Sequence, residues 1–190
     1  MRTFDPVRIG RLETIAWVTY YRREWLRFLR AAVGLTYEAF HLGWWRTLYG
    51  AWLVLRANQL WAPVPDNDPD GAQRTMRRFY ALVAARHGET FDVDEAARLE
   101  IEWWRVHRHH QRDDPSGSEQ PLVDALAALW AHVYAVDAGA LRQAAGERAD
   151  AMRDSDRWVD AGCRLDSALI GQERAALIRS YAALLAVVHR

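Results

Sequence analysis

Apolar positions recur with the period of a helix along nearly the whole chain, and strand-type alternation is scarce. The pattern predicts a first helix over 7–33, ending at Gly34, and a second over 36–61 opened by Thr36 and closed by Ala62-Pro63-Val64-Pro65. Asp70 is positioned to cap a third helix over 71–87, with Gly88 as its stop. Asp92 and Glu95 have capping-box spacing and open a fourth, over 93–111. Pro121 opens a fifth over 121–136, Asp137 a sixth over 138–161, and Asp166 or Ser167 a seventh running nearly to Arg190. The polar stretch 112–120 is the only candidate boundary, and its length is that of an ordinary helix connection. The expected architecture is one all-α domain over 1–190. It is a bundle of six to seven helices, with the two long N-terminal helices forming an antiparallel pair.

Composition changes that picture in one respect. Ten tryptophans in 190 residues imply a bulky aromatic interior, and each indole N–H needs a partner where it is buried. Every basic residue is arginine, and 25 of them balance 25 acidic residues. The zero formal charge argues against a whole-protein nucleic-acid footprint. A single cysteine, Cys163, excludes an intrachain disulfide and suits a reducing compartment. No signal-type segment opens the sequence, and the most apolar stretch, 51–62, is interrupted by Arg56, Asn58 and Gln59. The expectation is a cytoplasmic protein with no transmembrane segment.

Titratable residues share faces with the tryptophans. Glu13, Trp17, Tyr20, Glu24 and Phe28 form one helical stripe. On the fourth helix, Glu100, Trp103 and His107 share the inward face, while Arg98, Glu102, Arg105 and His109 make a solvated ion-pair ladder. Glu38 and His41 have the Glu-x-x-His spacing of carboxylate-bridged di-iron bundles. A second such pair is missing, and His132 is the nearest substitute. A metal site built from Glu13, Glu38, His41, Glu100, His107 and His132 would hold iron, manganese or zinc. The competing expectation is that arginines such as Arg22, Arg23, Arg27 and Arg30 neutralise these carboxylates. Asp66–Gly71 imitates half a calcium loop, but Arg74 and Arg77 occupy later ligand positions, so it reads as a turn. No phosphate loop, nucleophile elbow or zinc cysteine spacing occurs.

The leading functional expectation is a non-catalytic binding or interaction module. Tryptophan and arginine surround the second helix, which suits a central element, a homodimer seam or a membrane surface. The alternatives are a carboxylate–histidine metal protein of ferritin-like or haem-oxygenase-like architecture, and a small-molecule pocket lined by Trp17, Tyr20, Trp103 and Trp104. Glu100 and His107 would fix polar groups in that pocket.

Overall fold

The computed structural model describes residues 1–113 and 117–189. It is all-helical among those residues: α1 (Pro6–Tyr21), α2 (Trp25–Phe40), α3 (Trp44–Trp61), α4 (Pro69–His87), α5 (Val93–Arg112), α6 (Gln120–Tyr134), α7 (Arg142–Asp160) and α8 (Ala168–Val188), with a 3-10 turn at Gly139–Leu141. Local chemistry fixes many of the ends. Asp5 accepts hydrogen bonds from the Val7 and Arg8 amides, Asp92 from those of Asp94 and Glu95, and Ser167 from that of Leu169. Asp68, rather than the expected Asp70, caps α4, accepting from the Gly71 amide. Gly88 ends α4 in the left-handed conformation, as expected. The expected 112–120 connection contains residues 114–116, which lie outside the described residues, as does Arg190 at the end of the last predicted helix.

Two breaks were not expected where they fall. The predicted first helix turns at 22–24, where Arg23 takes φ 60° with no glycine or proline to announce it. The turn is held by the Glu24 amide on the Thr19 carbonyl and by Arg22, which donates to the Glu24 carboxylate and to the Cys163 carbonyl. The predicted second helix breaks at 41–43, where His41 (φ 45°) ends α2 and Gly43 (φ 82°) precedes α3. Gly43 therefore makes a corner, which is where its missing Cβ matters. Helical packing at the N-terminus is between α1 and α2, joined by that three-residue turn.

Each helix packs against its neighbours in sequence, and α8 packs on α1, so the bundle closes into a ring. The main core draws Leu53 and Ala57 from α3, Met76, Phe79 and Val83 from α4, Trp104 from α5, Leu122 and Leu126 from α6, and Leu184 and Val188 from α8. Small residues bring the ring's closing helices together. Ala144, Ala145 and Ala149 on α7 are buried, and Ser180 on α8 donates to the Ala144 carbonyl at 2.8 Å. Gly10 on α1 lies so near α8 that a Cβ there would sit 2.7 Å from the Ile178 side chain. Ala151, Ala176 and Leu177 form a small second apolar cluster between α7 and α8.

Candidate functional site

The ring closure places polar side chains of four helices around one small cavity. Glu13 and Trp17 come from α1, His107 from α5, Arg148, Ala151, Met152, Ser155 and Asp156 from α7, and Glu173 and Leu177 from α8. The cavity has room for about one water molecule, about 10 Å³.

Its charges fall into three groups. Glu13 is buried and receives a two-pronged contact from Arg148, at 2.6 and 3.1 Å. The Tyr181 hydroxyl also donates to Glu13, and Arg148 donates to the Tyr181 oxygen at 3.0 Å. Burial pushes the Glu13 carboxyl up, but the Arg148 guanidinium and these hydrogen bonds outweigh it and hold the group below its ordinary range. In the second group, Asp156 accepts from Gln111 at 2.7 Å and lies 3.1 Å from His107 Nε2. The third is Glu173. It is 1% exposed, and among the described residues neither carboxylate oxygen has a hydrogen-bond partner. Burial, together with the negative charges of Glu13 and Asp154, raises its carboxyl to about 8.

The other sequence candidates lie elsewhere. Glu100 accepts from the Tyr80 hydroxyl at 2.6 Å and from Trp104 Nε1 at 3.1 Å, and burial raises its carboxyl. Glu38 is buried and pairs with Arg8 of α1 at 3.3 Å. His41 is exposed in the left-handed cap, so the break in the helix removes the face it was expected to share with Glu38. His132 Nε2 contacts the Asp92 carbonyl at 2.8 Å. Among the described residues no three His, Cys, Asp or Glu side chains are grouped to hold a metal ion. Of the expected pocket aromatics, Trp17 reaches the cavity. Trp103 lies with its ring 6.0 Å from the Arg148 guanidinium carbon, Trp104 belongs to the main core, and Tyr20 is exposed, edge-on to Trp25.

Arg148, Ser155, Asp156, Glu173 and Tyr181 were missed, although part of the signal was present. Glu173 heads the stripe Ala176, Leu177, Ser180, Leu184 and Val188, all buried on α8, and Arg148 lies between Ala144, Ala145, Ala149 and Met152 on α7.

A second feature lies on the outside. The predicted second helix is two-sided: α3 supplies Leu53 and Ala57 to the core and turns tryptophans outward. Trp44, Trp45 and Trp52 of α3 are exposed, as are Trp25, Leu26, Leu29 and Tyr37 of α2. Among the described residues α3 packs mainly on α4, and α2 mainly on α1 and, less, on α3, so each covers one side and leaves the other exposed. Along α2 runs a groove of about 800 Å³ lined by Leu12, Leu29, Val33, Tyr37 and Trp44, with the paired Arg8 and Glu38 and with Arg30. The segment that builds this face is rich in arginine: residues 1–62 hold nine arginines and four acidic residues, whereas 63–190 hold sixteen and twenty-one. The acidic residues near the face are paired, Glu24 with Arg22 and Arg27 and Glu38 with Arg8. No single helix among the described residues is long and apolar enough to cross a membrane.

Comparison with protein-family models, curated proteins and solved structures finds no match.

Proposed function

We propose that this protein is a non-catalytic interaction module whose α2–α3 face binds an amphipathic helix with acidic flanks. The observation that carries the reading is the exposure of Trp25, Leu26, Leu29, Trp44, Trp45 and Trp52 in one arginine-rich segment. Aromatic residues and arginine are the types that anchor protein interfaces. The groove along α2 has the form used to seat a helix by its apolar side. Charge selects the partner. Two copies of this face would bring arginine against arginine, so an acidic partner fits better than an isologous homodimer.

The carboxylate–histidine metal reading has weaker support, because Glu38, Glu100 and His132 belong to separate neighbourhoods. The test uses probes of the same chemistry. A synthetic amphipathic helix with a leucine face and glutamate flanks is expected to bind and shift tryptophan emission to the blue, and its lysine-flanked counterpart is not. Binding is expected to fall at least tenfold in the double variant Leu29→Ser and Trp44→Ala without a change in melting temperature. Equal binding by both peptides, or by the double variant, refutes the assignment. A concentration-dependent dimer abolished by the same substitutions would replace the acidic helix with a second copy.

A further inference from the structure

We infer that the interior cavity is a binding site for a primary ammonium group, with the Glu173 carboxylate as its anchor. The Glu173 side chain is buried on α8, and neither oxygen is met by a protein donor among the described residues. An isolated buried carboxylate is unfavourable, and such groups are found paired. The one guanidinium lining the cavity is already committed, since Arg148 gives its donors to Glu13 and Tyr181. Glu13 takes Arg148 and Asp156 takes His107 and Gln111, so Glu173 is the carboxyl of the cavity wall left without a partner of its own.

The lining sets the class of cation. A group the size of a water molecule fits the room, and ammonium is that size. Its N–H donors match the Glu173 oxygens and the Ser155 hydroxyl, while Trp17 supplies an aromatic wall suited to a cation. Divalent metals fit less well. Calcium takes six to eight oxygens and zinc takes four N, S or O ligands. His107 and Asp156 are engaged with each other, and no three acidic or imidazole side chains are grouped for a metal among the described residues. The same two residues retain some solvent exposure, 16% and 20% for their side chains, so the mouth through which the carbon chain of an amine would trail is assigned to their side of the cavity.

Charge also fixes the proton balance. At neutral pH Glu173 holds a proton, because burial, Glu13 and Asp154 outweigh Arg148 and Arg174. The other charged or titratable groups around it are Asp156 and His107 at the mouth and Tyr181 beside Glu13. When the ammonium arrives, the Glu173 O–H bond breaks, its proton leaves to buffer, and the carboxylate pairs with the ammonium. No electron is transferred. Titration calorimetry with methylammonium at pH 7, in phosphate and in HEPES, reads this directly. One site per chain and close to one proton released per methylammonium are expected. Glu173→Gln is expected to lose at least tenfold in affinity and all of the proton release while keeping its helical signal. Ser155→Ala is expected to weaken binding while leaving the proton release intact, which keeps the test open if Glu173→Gln does not fold. Tetramethylammonium, which has no N–H, is expected not to compete. No binding by the folded protein, equal binding by Glu173→Gln, or equal competition by potassium overturns the assignment.

Discussion

Replacing Glu173 by glutamine should make the protein more stable, and increasingly so as the pH rises. In the folded chain the carboxyl is raised from its ordinary 4.5 to about 8. Unfolded, it ionises near its ordinary value. Between those two pH values the native state therefore holds a proton that the unfolded state has released, and stability falls as pH increases. At about 1.4 kcal/mol for each pH unit, the full loss is on the order of 5 kcal/mol by pH 9 and about 3 kcal/mol at pH 7. Glutamine keeps the shape and carries no charge, so the variant should escape this loss. Glu100 and Asp154, whose carboxyls burial also raises, are present in both proteins and cancel in the difference. Urea unfolding in amine-free buffer at half-unit steps from pH 4.5 to 9 measures it. The stability difference should be small at the acid end and grow steadily to a plateau above pH 8. In melting temperature the plateau corresponds to roughly 10–20 °C for a chain of this size. A difference that stays within about 0.5 kcal/mol across the range would refute the reasoning, since that is the scatter expected of an uncoupled surface substitution.

Two further predictions concern the same helices. Arg148→Met should cost about 3–5 kcal/mol, because it removes the guanidinium that neutralises the buried Glu13; adding Glu13→Gln should recover part of that loss, and a double variant no more stable than the single one would show that the charge is not the cause. Gly10→Ala should cost about 1–3 kcal/mol in denaturant unfolding, since its Cβ would meet the Ile178 side chain at 2.7 Å and the Ile178 amide nitrogen at 3.1 Å; an unchanged midpoint would mean that α1 and α8 can separate freely.

What could be read from the sequence was local. Asp92, Ser167 and Gly88 announced helix ends because their side chains, or the lack of one, act on amides a few residues away. The turn at Arg23 could not be read in this way, because it is held partly by the carbonyl of Cys163, 141 residues distant. The inward placement of Glu13 beside Trp17 was legible as a stripe, and an ion-paired interior was a fair reading of it. The partner was not legible. Helix-one arginines were expected, and the pair is made by Arg148, 135 residues away, because α8 joins α1 to α7. Glu38 and His41 failed as a pair for a related reason. Their spacing means a shared face only while the helix continues, and it ends at His41.

The tryptophans of this chain run from the buried Trp104 and Trp158, through the half-buried Trp17, Trp61, Trp103 and Trp130, to an exposed group. Trp158 is 0% exposed and donates its indole N–H to the Arg164 carbonyl, whereas Trp45 is 79% exposed. Trp25, Trp44 and Trp52 share the exposed condition, and all lie in the arginine-rich segment. Emission from the native protein is therefore a mixture of a blue component and a solvent-relaxed red one. Iodide, drawn to positive charge, quenches the red component first, and caesium does so less well. Total fluorescence is consequently a poor measure of unfolding for this molecule and a sensitive reporter of whatever covers α2 and α3.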